Sequence, residues 1–156
     1  MSILDARAEF SDAQAVTATA ISTNVMDLKG GGLSPNTTGR FGAPAITYLV
    51  IAVGDTAIDA SGAATVVFSL ESAENAALST NPVVHFATAA IGKAALTKGK
   101  LVAAIPLPAG EYKEFLGVRY TVATGPLTAG NFNAFLTKDP NLFAAFNDGK
   151  PVEPAA

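Results

Sequence analysis

The segment Ala45-Ile46-Thr47-Tyr48-Leu49-Val50-Ile51-Ala52-Val53 decides the fold class. It is apolar on both of its alternating faces, rich in β-branched side chains, and followed by Gly54-Asp55, which opens a connection. A run of that kind reads as a strand buried on both sides and central in its sheet. Outward from it, Thr65 to Glu71 alternates, with Val66, Phe68 and Leu70 on the face expected to meet the core and Val67, Ser69 and Glu71 opposite. Phe115 to Thr124 is the clearest strand after the central one. Gly125-Pro126 and Ala129-Gly130 mark a turn, and Asn131 to Thr137 is the returning strand.

The remaining elements are weaker. Val16 to Val25, mostly Thr, Ala and Ile, reads as a poor strand. Pro82 to Ala87 and Gly99 to Pro106 read as two further strands, and Glu71 to Ser79 fits a short helix or a loop. Gly30-Gly31-Gly32 and Ser34-Pro35-Asn36 form a loop, since glycine tolerates positive φ and proline cannot continue a ladder. About seven or eight short strands separated by turn residues predict an all-β, single-domain antiparallel β-sandwich. The expected limits are an N-terminal arm or first edge strand over 1–12, the sandwich over 13–146 and a short, flexible, proline-containing C-terminal tail over 147–156.

Composition narrows the functions open to such a domain. The 156 residues carry a net charge of -3, and only 15% are charged, so no basic face is available for nucleic acid. There is no cysteine, which removes disulfides and thiolate metal sites. The longest apolar run falls far short of the roughly 20 residues of a spanning helix, and Asp5, Arg7, Glu9 and Asp12 interrupt the N-terminus where a leader would be apolar. Neither a membrane partner nor export is expected. The apolar fraction is 49%, much of it alanine. That fits a core of small side chains, or apolar surface left over for a partner.

Chemistry is sparse. The one histidine, His85, lies in a strand on the face of Val83 and Ala87, and no serine sits in a Gly-x-Ser-x-Gly elbow. A structural imidazole is the expected reading, and a small hydrolase using His85 the competing one. Asp55, Asp59, Glu71 and Glu74 could offer oxygen to calcium, but their spacing does not fit an EF-hand loop, and acidic residues in turns more often satisfy local backbone donors. Leu-Ser-Pro follows the triple glycine where a phosphate loop would need Gly-Lys-Ser/Thr. Glu111 and Glu114 flank Tyr112, a faint suggestion of a sugar site without a tryptophan platform. No catalytic residue, cofactor or metal ligand is expected.

Two end segments carry a resemblance. Leu4-Asp5 through Phe10-Ser11-Asp12-Ala13-Gln14, with Thr23-Asn24 and Asp27-Leu28, and then Phe115-Leu116-Gly117-Val118-Arg119-Tyr120-Thr121-Val122, Leu127-Thr128-Ala129-Gly130 and Asn131 to Leu136, resemble the cement (decoration) proteins of tailed-bacteriophage heads, in particular the jelly-roll type known from a Bordetella phage. The resemblance implies a jelly roll that is not an enzyme. It implies a partner, the major capsid protein, and self-association as a homodimer or other small homo-oligomer. The expected location is the outer capsid surface of the virion, after assembly in the host cytoplasm. Ile3, Leu4, Phe10, Phe41 and Tyr112 are the candidate partner-interface residues. The alternative is a carbohydrate- or receptor-binding β-sandwich module, which would cluster aromatics at loop tips.

Overall fold

The computed structural model describes residues 8–29, 40–41 and 46–139. The strands are β1 (Glu9–Ala15), β2 (Ala20–Ile21), β3 (Met26–Asp27), β4 (Arg40–Phe41), β5 (Tyr48–Val53), β6 (Thr65–Ala73), β7 (Val83–Ala87), β8 (Ile91–Gly92), β9 (Leu101–Pro106), β10 (Gly110–Glu111), β11 (Phe115–Ala123) and β12 (Asn131–Thr137). One sheet runs β1-β12-β5-β9. The other runs β2-β11-β6-β7, with β3 also on β11 and β8 also on β6; β4 and β10 form a small ribbon. The strand pairs are antiparallel throughout. The fold is an all-β antiparallel sandwich. No helix among the described residues is long and apolar enough to cross a membrane.

β5 takes the place its sequence predicts, between β12 and β9, with Leu49, Val50, Ile51 and Ala52 all fully buried. Val66, Phe68 and Leu70 of β6 point into the core beside Val118 and Tyr120 of β11. At the centre Phe68 meets Phe132 edge-on at 5.0 Å and Tyr120 edge-on at 5.8 Å, while Tyr120 and Phe132 stack at 5.1 Å. Aromatic pairs of this geometry add about 0.5–1.5 kcal/mol each beyond the area they bury. The Tyr120 hydroxyl crosses the sandwich and donates to Ser11 Oγ of β1 at 2.7 Å, and Ser11 Oγ donates to Gln14 Oε1 at 2.6 Å. A buried phenol is thereby satisfied and the two sheets are tied together.

The first strand departs from expectation. The chain pairs with β12 over Glu9–Ala15, and of Val16 to Val25 only Ala20–Ile21 is strand. Backbone pairing with β12 forms β1, so an alternating apolar pattern is not required, and only Phe10 and Ser11 are buried. Two register shifts, with Ala13 at φ 44°, bulge this edge strand and protect it from extension. Residues 9–12 of the expected arm therefore belong to an edge strand; residues 1–7 and the 147–156 tail lie outside the described residues.

The outer face of β6 also differs. Ser69 and Glu71, expected toward solvent, are buried. Glu71 accepts from Arg119 Nε at 2.9 Å and from Ser69 Oγ at 2.8 Å, and Arg119 Nη2 donates to the Leu78 carbonyl at 2.7 Å. The segment between β6 and β7 is a loop. Asn75 Oδ1 accepts the Ser79 and Thr80 amides, and Leu78 is driven down onto the second sheet. There it covers Gly117, where a Cβ would lie 2.8 Å from Leu78 Cδ1.

Candidate functional site

Chemistry-bearing side chains come together around His85. β7 pairs with β6 through Leu70↔Phe86 and then Glu71↔Val84, so His85 is the extra residue of a bulge. The bulge breaks the expected alternation with Val83 and Ala87 and turns the imidazole toward Ser72. His85 Nε2 lies 2.7 Å from Ser72 Oγ, which also accepts the Lys113 amide at 3.1 Å. The Tyr112 ring stacks on the imidazole at 3.9 Å and 24°, and its hydroxyl donates to the Pro108 carbonyl at 2.6 Å. Burial holds the imidazole below its ordinary pKa and pushes the Tyr112 phenol up to about 12. The Ser72–His85 spacing is that of a nucleophile and its base. Ser72, however, is fully buried, so a substrate has no approach to its hydroxyl.

The four carboxylates that could have served calcium have separate partners. Asp55 accepts from Asn131 Nδ2 at 2.7 Å, and Asp59 from the Ala60 amide at 2.7 Å and Lys93 Nζ at 3.1 Å. These donors lower both pKa values. Glu71 is held by Arg119, and Glu74 by Lys113 and Asn81. Among the described residues no group of three or more histidine or carboxylate side chains could hold a metal.

The surface is more informative than the interior. Each sheet has two edges. β1 is joined to the β2–β3 side by Asn24 N–H to the Phe10 carbonyl at 2.9 Å, Gln14 Nε2 to the Ile21 carbonyl at 2.9 Å and Thr23 N–H to Gln14 Oε1 at 2.8 Å. That side of the sandwich is closed. By strand order β7 and β9 are the edges of the opposite side, and neither has a further strand beyond it among the described residues. The large apolar side chains that are exposed include Val83 and Val84 on β7, Leu101 on β9 and Ile46 just before β5. Among the described residues, exposed apolar groups and strand edges without a further pairing strand coincide on β7 and β9.

The five expected contact residues fare differently. Phe10 is fully buried and Tyr112 nearly so, which corrects both: their rings belong to the core cluster. Phe41 lies in β4 opposite Gly110 of β10, its side chain outside the described set, and Ile3 and Leu4 lie outside it altogether. Sequence reasoning missed Val83, Val84 and Leu101, whose exposure depends on their strands being edges. No local signal marks an edge.

The family model for Bbp16 matches residues 10–136, from the first core residue of β1 almost to the end of β12. The chain belongs to the Bbp16 family. Among curated proteins none matches. The Bbp16 match is to a bacteriophage protein family, and it covers both sheets of the sandwich, the closed side and the open one alike.

Proposed function

We propose that this chain is a non-enzymatic cement (decoration) protein, bound to the outside of a phage head, where it stabilises contacts between major capsid protein subunits. The observation that carries the proposal is the open side of a phage-family sandwich, where two strand edges with no further strand beyond them among the described residues bear exposed valine and leucine. An extended segment of another chain can add to such an edge, with backbone hydrogen bonds supplying affinity and the apolar side chains supplying register. Alanine, valine and threonine have little rotamer freedom to lose, so ordering a contact surface built from them costs little. Contacts that are individually weak then sum by avidity over a symmetric lattice. A small homo-oligomer, such as a dimer, would raise that valency further.

The strand order supports the jelly-roll reading. The first and last strands pair, and the chain passes between the two sheets in the order expected of two interlocked Greek keys. A carbohydrate- or receptor-binding module is less well supported, because Tyr112, one of the two aromatics left to stack on a sugar, is buried, while the side chain of the other, Phe41, lies outside the described residues.

Mixing the purified chain with undecorated heads tests the proposal. Saturable binding, with heads that resist heating or low salt better than bare ones, is the expected result. Absence of both would refute it.

A further inference from the structure

We propose that His85 is an acid-sensitive clasp that holds the open edge strand β7 to the body of the sandwich. The Ser72 hydroxyl is sealed from solvent and has two partners. The Lys113 amide can only donate, so it occupies a lone pair of Oγ. The single hydroxyl proton then goes to His85 Nε2, which must carry a lone pair, and the ring proton sits on Nδ1. In this tautomer both Ser72 Oγ and His85 Nε2 are satisfied. A proton added at Nε2 would leave Oγ facing two donors, with its own hydrogen lacking an acceptor in a buried site.

Among the described residues, no carboxylate is shown paired with the imidazole. Of the groups on the neighbouring elements, Glu71 points to the other face of β6 and holds Arg119. Glu74 holds Lys113 Nζ and Asn81 Nδ2. Glu111 lies on the exposed strand β10, and the Tyr112 hydroxyl is committed to Pro108. The face of the Tyr112 ring attracts a cation and opposes the effect. Burial works the other way and disfavours the imidazolium.

The position of His85 makes its protonation matter. It is the bulged residue, the point where the β6–β7 ladder is interrupted, so its side chain secures the strand where the backbone does so least. Beyond it lie Val84 and Val83, both exposed. Losing the Ser72 bond releases the Val83–His85 end of β7, while β6 stays anchored along its length to β11.

Imidazole nitrogen NMR combined with amide-exchange protection factors, followed from about pH 8 to about pH 5, tests this. The expected results are an Nδ1–H tautomer at the alkaline end, a titration midpoint below that of a free histidine, and a loss of tenfold or more in protection at Val84 and Phe86 as the ring titrates, with Val118 and Tyr120 of β11 unchanged. In His85→Gln, whose side-chain oxygen can accept the Ser72 proton but does not titrate, protection at β7 should become independent of pH across this range. An Nε2–H tautomer, a midpoint at or above the free value, constant β7 protection through the titration, or a pH dependence that persists in His85→Gln would each overturn the proposal.

Discussion

Phe10 shows how one residue's role is set by where its backbone goes. Its ring has no exposed surface and packs in the core beneath an irregular edge strand, so its truncation acts on folding. Phe10→Ala should cost about 3–5 kcal/mol in chemical denaturation, and whatever is bound through the β7–β9 side should be bound equally well by the fraction that remains folded. Gly130 is constrained differently. It has φ +117°, and a Cβ there would lie 2.8 Å from the Ile58 Cα, which is backbone and cannot swing aside. Gly130→Ala should destabilise by about 3 kcal/mol, read from the denaturation midpoint. The phenols of Tyr112 and Tyr120, both pushed up to about 12 by burial, make a third residue-scale statement. The unfolded chain releases these protons near pH 10. The folded chain retains them longer, so their contribution to stability is intact below that pH and is lost as the pH rises toward 12. The phenolate absorbance of these two tyrosines should therefore rise cooperatively with unfolding, not ahead of it.

Among the elements, the loop between β6 and β7 does more than connect. Its Leu78 seals the outer face over Gly117, and its Leu78 carbonyl and Glu71 share the Arg119 guanidinium. Intact, this pair contributes little net stability, since an ion pair taken out of water repays its desolvation only in part. Removing one partner is another matter. Arg119→Met leaves a buried carboxylate facing Ser69 alone and should cost about 2 kcal/mol or more, and Glu71→Gln in the same chain should restore part of it; thermal unfolding of the three variants checks both directions. The contrast between β1 and β7 belongs to this scale as well. Both are edge strands, yet β1 carries two bulges and exposes only Asp12 and two alanines, whereas β7 has one bulge and two exposed valines. One edge is defended against pairing and the other is left available.

For the molecule as a whole, that asymmetry gives the sandwich a closed side and an open side, and the proposed function places the capsid on the open one. Val84→Lys puts a charge in the exposed row of β7 without touching the core. It should leave the thermal midpoint within about 2 °C, because an exposed substitution of this kind rarely changes stability by more than about 0.5 kcal/mol, and should weaken binding to undecorated heads by tenfold or more. Quantitative sedimentation with heads reads the second effect and calorimetry the first.

Side-chain periodicity by itself determined the all-β class, the central position of Tyr48–Val53 and the inward set Val66, Phe68 and Leu70, because each of these follows from which residues must leave water. The turn at Gly125 to Gly130 was equally legible, since positive φ selects glycine. Only the tertiary structure decided that Glu9–Ala15 is a strand, that Phe10 and Tyr112 are interior and that Val83, Val84 and Leu101 are exposed. It alone brought Ser72, His85 and Tyr112 together and joined Tyr120 to Ser11. The physical reason is common to all of them. Burial within a strand is recorded in the order of its own residues, whereas an edge, a bulge or a contact between sheets depends on which distant segment lies alongside, and backbone pairing leaves almost no mark on side-chain identity.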